Sequence, residues 1–134
     1  MIPIPPGFTL HTRSSAVTKP WEPIYANQTE GSFQLGLTVT PAHCNSRGML
    51  HGGVIATLAD NAMGRTLFHT RNDGLSIVTT SLSLDYFGLA QVDQWLQIVP
   101  RLVSTAKRSG VVDAIIYAHA AAIARANATF RVIG

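Results

Sequence analysis

The sequence predicts an α+β fold in which one long helix packs on one face of an antiparallel sheet. Three observations predict it. Residues 33–39 alternate apolar and polar side chains, which is typical of a half-buried strand. Residues 53–69 carry apolar side chains at helical spacing. Four further segments rich in β-branched residues follow with short connections, so we expect hairpins and an antiparallel sheet.

The chain divides into an N-terminal arm and one domain. Residues 1–23 contain five prolines, and we expect an irregular N-terminal arm with one short helical turn. Residues 24–134 form the single domain, because no internal repeat or low-complexity linker divides them. The strand over 33–39 ends at Pro41, and residues 41–52 form a loop.

The helix predicted over residues 53–69 has two distinct faces. The apolar face is expected to pack on the sheet and consists of Ile55, Leu58, Ala59 and Ala62, with Met63 at its margin. The second face is a row at i, i+4 spacing formed by Ala56, Asp60 and Gly64, with Thr57 and Asn61 beside it. The small residues of this row leave room for a ligand to approach the Asp60 carboxylate.

The chain after the helix reads as strands joined by turns. The turn signal Asn72-Asp73-Gly74 precedes strands predicted over 76–86, 95–106, 111–118 and 123–133. Pro100 predicts an edge position or a bulge in the second of these strands. Residues 107–110 form a tight turn, and the last two strands form a hairpin around residues 119–122, where no glycine is present.

Composition excludes several classes of protein. The net charge is +3 and no Lys/Arg run exceeds two residues, so a nucleic-acid patch is not expected. No apolar run reaches the roughly 18 residues of a membrane span. The single cysteine excludes an internal disulfide framework, and we expect a cytoplasmic protein. Charged residues make up only 13% of the chain, against roughly 25% in typical domains, which suits burial of surface between copies.

Two features at the helix can carry chemistry. Asp60 is the one carboxylate in the middle of the hydrophobic helix, where a charge is costly unless it is satisfied. Gly52 and Gly53 stand at the helix start, where free N–H groups and the helix dipole favour an oxyanion. Each feature also has a structural interpretation, as an aspartate that ties down a loop and as a tightly packed glycine loop.

The combination of these residues resembles a known family. Asn45, His51, Gly52 and Asp60 stand at spacings of six, one and eight residues. The segment from Asn45 to Asp60 resembles the signature of hotdog-fold acyl-CoA thioesterases of the phenylacetate-pathway (PaaI-like) branch. Residues 79–86 and 126–132 also resemble strands of that family, and the resemblance covers roughly residues 24–133.

The resemblance implies a fold, an assembly and an activity. It implies a hotdog fold, in which a curved antiparallel β-sheet wraps a long central helix. It implies a homodimer or a dimer of dimers (a homotetramer) with the site at the subunit interface. The implied reaction is hydrolysis of an acyl-CoA, with an aryl or phenylacetyl-type acyl group among the candidates. Coenzyme A enters only as part of the substrate, and neither a further cofactor nor a metal is expected.

The resemblance also implies roles for individual residues. Asp60 acts as nucleophile or as general base, and the backbone N–H of Gly52 from the other chain polarises the thioester carbonyl. Asn45 and His51 hold the loop and help to position substrate or water. Thr79, on the strand after the helix, assists the water molecule.

Further residues are candidates for substrate contact. Gly53 and Asn61 flank the catalytic positions, and Lys107 and Arg108 are placed where a turn can meet a coenzyme A phosphate or remain solvated. Met63 belongs either to the pocket or to the core. Cys44 is expected to be a small buried hydrophobe rather than a nucleophile.

The sequence departs from the family pattern at three places, namely Arg65, Phe87–Ala90 and Gln94. Arg65 stands where relatives more often have a small or aromatic residue. These positions line or border the acyl pocket in relatives, so the departures leave the acyl group undetermined.

Three other functions stay open at this point. A module that binds an acyl-CoA or an aromatic ligand without turnover is the main alternative, and the Asn45/Gly52/Asp60 set argues against it. A hotdog hydratase or dehydratase would need a different arrangement of His and Asp/Glu residues. A structural oligomer is compatible with the low charge content.

Overall fold

The computed structural model describes residues 3–134, which form one long helix, seven strands and two single 3-10 turns. The arm contains β1 (Thr9–Leu10) and a 3-10 turn at Lys19–Trp21. The elements that follow are β2 (Tyr25–Thr29), β3 (Ser32–Thr38), a 3-10 turn at Pro41–His43, α1 (Gly52–Arg71), β4 (Ser76–Tyr86), β5 (Trp95–Thr105), β6 (Ser109–Ala118) and β7 (Ala121–Ile133).

All seven strands belong to one antiparallel sheet in the order β1-β2-β3-β5-β6-β7-β4. The sheet curves around α1, which contacts β3, β4, β5, β6 and β7. The α+β prediction is therefore confirmed. Strand β4 pairs only with β7, so its other edge is open in the single chain.

The core lies between α1 and the concave face of the sheet. All five residues of the predicted apolar helix face are buried, and Met63 belongs to the core rather than to its margin. They pack against buried residues of the central strands that include Leu37, Leu96 and Ile116. Gly110 of β6 lies against Leu67 of α1, and an added Cβ there would lie 2.5 Å from Cδ1 of Leu67. A larger residue at position 110 would force the Leu67 side chain to move.

Strands β1 and β2 are absent from the sequence prediction. The β2 segment does not alternate, since it ends in the polar run Asn27–Thr29. It becomes a strand because a two-residue turn folds it back on β3, with Thr29 opposite Ser32 and Gly31 at a φ of 75°. Strand β1 then adds to β2, so the arm contains a short strand as well as the predicted helical turn.

Pro100 does not lie on an edge strand, because β5 runs between β3 and β6. Pairing of β5 with β3 ends at Ile98, two residues before the proline. The bulge that interrupts pairing with β6 lies between Leu102 and Ser104, beyond Pro100. The proline therefore sits in a stretch of β5 that has a neighbour on one side only.

The β6–β7 hairpin closes through His119 and Ala120, with φ angles of 51° and 68°. Two consecutive left-handed residues are the geometry of a type I′ turn, which matches the twist of the flanking strands. The hairpin prediction is confirmed, and the turn is shorter than expected because β7 begins at Ala121.

Ala120→Gly is expected to raise the free energy of unfolding by about 1 kcal/mol, because glycine adopts a left-handed conformation without the steric penalty of a Cβ. Urea unfolding of the variant and the parent measures the difference. Ala122→Gly is the matched control, since Ala122 lies in β7 and glycine there should lower stability. A loss of stability in both variants would contradict the strain assigned to the turn.

Candidate active site

The carboxylate of Asp60 meets the hydroxyl of Thr79. Asp60 lies half-buried on the second face of α1, and Thr79 lies on β4. Thr79 Oγ1 donates a hydrogen bond of 2.6 Å to Asp60 Oδ1. Asp60 Oδ2 has no hydrogen-bond partner among residues 3–134. Asp60 thus contacts a neighbouring strand rather than a loop, and one of its oxygens is free to act on a ligand.

A bulge in β4 lies directly after Thr79, which shares a face of the strand with Ile77. The register with β7 shifts between Thr79 and Ser81. Ile77 and Leu84 both pack on the core although seven residues separate them, which strict alternation forbids. The extra residue of the bulge reverses which residues point inward. Side chains that face α1 are therefore found both before and after the bulge.

A cavity of about 330 Å³ opens beside the Asp60–Thr79 pair. Asn61 and Gly64 of the second helix face line it, as the small-residue row predicts. Its apolar wall comes from three side chains that the sequence analysis does not single out: Phe68, Ile77 and Phe130. The cavity therefore places three apolar side chains near a carboxylate.

Two arginines also line this cavity, Arg13 from the arm and Arg65 from α1. The Arg65 Cζ atom lies 4.9 Å from the ring centroid of Phe68 and 5.8 Å from that of Phe33. Burial lowers the pKa of Arg65 from its usual value, and the charge of Arg13 lowers it further. The sequence marks Arg65 as unusual but gives no sign that Arg13 reaches the same cavity.

The start of α1 is held by its own side chains and by β4. His51 is the N-cap residue, and its Nδ1 accepts a hydrogen bond of 2.8 Å from the Gly53 N–H. Tyr86 Oη donates to the Gly52 carbonyl oxygen at 2.7 Å. Burial raises the pKa of Tyr86 above its usual value. The Gly52 N–H makes no hydrogen bond within the described chain.

Asn45 shapes the loop that leads to the helix. Its Oδ1 accepts hydrogen bonds from the backbone N–H groups of Arg47 at 2.9 Å and Met49 at 3.2 Å. The Gly48 N–H returns to the Asn45 carbonyl oxygen at 3.0 Å. The Asn45 side chain is thus engaged within the loop, while the Asp60 cavity is lined by other residues.

The predicted substrate-contact residues fall in different places. Asn61 lines the cavity, and Gly53 is exposed at the helix start. Met63 is 0% exposed and belongs to the core, which is the alternative that the sequence left open. Cys44 is partly buried, and its Sγ donates to the Thr40 carbonyl oxygen at 3.4 Å.

Lys107 and Arg108 are exposed on the turn between β5 and β6. The side chain of Arg71, near the C-terminal end of α1, donates hydrogen bonds to two backbone carbonyl oxygens of the β5–β6 turn. Its Nη1 donates to the Ala106 carbonyl oxygen at 2.6 Å, and its Nη2 donates to the Lys107 carbonyl oxygen at 2.9 Å. The same guanidinium pairs with Asp73 at 3.0 Å.

Gly52 and Asp60 are too far apart in one chain to act on the same atom. They lie eight residues apart on α1, which separates them by about 12 Å along the helix axis. A carbonyl group that accepts a hydrogen bond from the Gly52 N–H therefore lies out of reach of the same chain's Asp60.

Residues 3–134 contain no group of three or more His, Cys, Asp or Glu side chains arranged to hold a metal ion. None of the helices in this part of the chain has the length and apolar character needed to cross a membrane.

Comparison with known proteins places this site in context. The model of the thioesterase superfamily matches residues 47–122. A proposed esterase of Pseudomonas aeruginosa is 30% identical over 131 residues, which cover 97% of this chain and 98% of that protein. The sequence comparison therefore spans both the loop with Asn45 and the helix with Asp60.

Solved structures share the fold. A Streptococcus mutans protein, solved bound to acetyl-CoA, is 27% identical, has a TM-score of 0.79 and covers 93% of this chain and 96% of its own. The PaaI protein of the phenylacetic acid degradation operon of E. coli is 24% identical with a TM-score of 0.80, over 90% of this chain and 86% of its own.

Proposed function

Because the chain belongs to the thioesterase superfamily and is a thioester hydrolase, we propose that it hydrolyses an acyl-coenzyme A to a free acid and coenzyme A. The prediction of a hotdog-fold thioesterase is confirmed by the family match, and the E. coli PaaI protein shares the fold. The choice of coenzyme A as the thiol rests on the Streptococcus mutans relative, which binds acetyl-CoA. The observation that carries the proposal is the Asp60 carboxylate, held by Thr79 at 2.6 Å beside a cavity.

Asp60 supplies the base or the nucleophile of the reaction. In the first route its free oxygen removes a proton from water, and the hydroxide adds to the thioester carbon. In the second route the oxygen adds to that carbon itself and forms a mixed anhydride, which water then hydrolyses. In both routes the C–S bond breaks, and the thiolate of coenzyme A leaves and takes up a proton. Thr79 orients the carboxylate through Oδ1 and leaves Oδ2 for the reaction.

The Gly52 N–H supplies the electrophilic half of the site. Negative charge develops on the carbonyl oxygen as the carbon is attacked, and a fixed N–H donor at a helix start stabilises it. Because about 12 Å separates Gly52 and Asp60 along one helix, we propose that this donor comes from a second copy of the chain. His51 and Asn45 are positioning residues, because they hold the helix start and the loop before it.

The open edge of β4 favours the assembly that would bring these groups together. Thr79 lies near the beginning of β4 and Tyr86 at its end, and Tyr86 is hydrogen-bonded to Gly52. If two β4 strands pair antiparallel, the end of one lies beside the beginning of the other. Gly52 of the second copy then approaches Asp60 and Thr79. We therefore propose a homodimer through β4, alone or within a dimer of dimers.

Pairing through β4 would also cover an edge strand that is exposed in the single chain. An edge strand of eleven residues with exposed apolar side chains, among them Val78 and Leu82, invites association. Burial of this edge against a second copy satisfies its free backbone groups. In this assembly we expect Asn61 and Gly53 to contact the thioester region, and Lys107 and Arg108 to meet phosphates of coenzyme A.

The activity is tested by release of coenzyme A, followed with a thiol reagent, from a panel of thioesters. The panel contains phenylacetyl-CoA, hydroxybenzoyl-CoA, a short-chain acyl-CoA and a long-chain acyl-CoA. We expect turnover of at least one class at a rate far above that of the protein-free solution. Slow release at the same rate for every thioester, from a folded protein, would favour a module that binds acyl-CoA without turnover.

A further inference from the structure

The cavity beside Asp60 has two chemically different ends. One end holds the Asp60–Thr79 pair, where the thioester reacts under the proposed function. Arg65 lies five residues further along α1, about 7.5 Å along the helix axis, and Arg13 joins it in the cavity wall. Phe68, Ile77 and Phe130 supply apolar surface of the same cavity. An acyl group that leads away from the thioester carbon thus meets hydrocarbon and two cations.

The cations in this cavity have no anionic partner in the described chain. Neither Arg13 nor Arg65 takes part in an ion pair within residues 3–134. The Arg65 Nε atom is buried without any hydrogen-bond partner. A buried N–H donor without an acceptor is unfavourable, so such donors are found paired or next to a ligand. Asp60 does not serve as this partner, because no ion pair joins it to Arg13 or Arg65 within residues 3–134.

Contacts with two aromatic rings explain where the Arg65 guanidinium lies, but they supply no acceptors for its N–H groups. The centroids of the Phe68 and Phe33 rings lie 4.9 and 5.8 Å from its Cζ, within the range of a cation–π interaction. The N–H groups point outward in the plane of the guanidinium, where a ring face accepts nothing. One of them lies 3.1 Å from His69 Nε2. The remaining donors suit a planar acceptor with two oxygens, which is the geometry of a carboxylate.

From this arrangement we infer that the preferred acyl group carries a second carboxylate, so that the substrate is the coenzyme A monothioester of a short dicarboxylic acid. The thioester carbonyl lies at Asp60, the hydrocarbon of the acyl group lies against the apolar wall, and the distal carboxylate binds Arg65 with Arg13 beside it. This inference rests on the proposed function, since it assumes that Asp60 marks the reacting end.

An anion for these arginines has two sources in an acyl-CoA. One is a carboxylate on the acyl group, and the other is a phosphate of coenzyme A itself. The two sources can be distinguished, because every acyl-CoA has the phosphates but only some acyl groups have a carboxylate. Thioesters of N-acetylcysteamine have no phosphate, so a preference for a carboxylate that persists in them belongs to the acyl group.

The experiment compares glutaryl and hexanoyl thioesters, which have similar length but differ in the terminal carboxylate. Initial rates give kcat/KM for both acyl groups on coenzyme A and on N-acetylcysteamine. We expect the parent protein to favour the glutaryl group in both carriers. Arg65→Gln should lower kcat/KM for glutaryl thioesters by about 10- to 100-fold and leave hexanoyl thioesters within about twofold. Arg65→Lys should retain part of the preference, since it keeps the charge but not the planar fork.

Arg101→Gln is the matched control, because Arg101 is 79% exposed and its only ion pair in the described chain is with Asp113, on the outer face of the sheet. It should leave all four rates unchanged. Equal losses for glutaryl-CoA and hexanoyl-CoA in Arg65→Gln, with no effect on N-acetylcysteamine thioesters, would assign the arginine to a phosphate and overturn the inference. Turnover of hexanoyl thioesters without a glutaryl preference would also overturn it while leaving the proposed function intact. Failure to release thiol from any thioester would instead remove the proposed function.

Discussion

Asp60→Asn is expected to lower kcat by about 1,000-fold while KM changes little, because general-base or nucleophilic carboxylates contribute on this order. Asparagine has nearly the same shape as aspartate, and its amide oxygen still accepts the hydrogen bond from Thr79 Oγ1. It lacks the charge and the basic oxygen that the reaction requires. The substitution thus removes the chemistry and keeps the packing.

The measurement is the steady-state rate of thiol release together with the urea midpoint of unfolding. Asp113→Asn serves as the control, since this carboxylate is exposed and forms only a surface ion pair of 3.5 Å with Arg101. It should retain full activity. An Asp60→Asn protein that turns over substrate at more than a tenth of the parent rate would exclude Asp60 as the reacting group.

Gly52→Pro is expected to lower kcat by about 100- to 1,000-fold, because proline has no N–H to stabilise the oxyanion. The helix can start with proline, since Gly52 is its first residue and the first N–H has no intrahelical partner. His51 has a ψ of 132°, which is the extended conformation required before proline. Gly52→Ala is the control, because it keeps the N–H and brings a Cβ to 3.3 Å from Tyr86 Cζ. Equal losses in both variants would mean that packing, and not the N–H, is responsible.

Mixing the two inactive variants tests whether each site is shared between copies. In a dimer of one Asp60→Asn chain and one Gly52→Pro chain, one of the two shared sites keeps both native groups. Random pairing makes half of the dimers mixed, so co-expression should restore about a quarter of the parent activity. Sites built within one chain would give no recovery, and that result would exclude the shared site.

The helix and its core face were predictable because burial leaves a periodic trace in the sequence. Each apolar residue of the predicted face, such as Leu58 or Ala62, is buried against the sheet. The helix extends from Gly52 to Arg71, slightly beyond the predicted 53–69, because capping by His51 and Asn72 fixes its ends more than hydrophobic spacing does.

Strand β2 could not be predicted, since its residues are polar or half-buried and its conformation comes from pairing with β3. The bulge at Thr80 left no trace either. Apolar and polar residues continue to alternate along β4 in the sequence. In the structure, odd-numbered residues such as Ile77 face α1 before the bulge, and even-numbered residues such as Leu84 face it after the bulge.

The candidate site was accessible to sequence reasoning where a motif places residues close together. The contact between Asp60 and Thr79 joins residues nineteen positions apart, and the family resemblance singled out both. Tyr86 and Arg13 were missed as contributors because nothing in their local sequence shows that they reach Gly52 and the cavity. Met63 carried no signal that separates a pocket side chain from a core side chain, and only its burial decides for the core.

The anchorage of the β5–β6 turn by Arg71 has a thermodynamic consequence for any anion that meets Lys107 and Arg108. Loops usually lose mobility when they bind, and this loss of conformational entropy weakens the affinity. Here the backbone carbonyl oxygens of Ala106 and Lys107 are already fixed to the last turn of a twenty-residue helix. The turn is therefore immobilised during folding, before a ligand arrives, and electrostatic attraction to its two cations is not offset by ordering of the backbone.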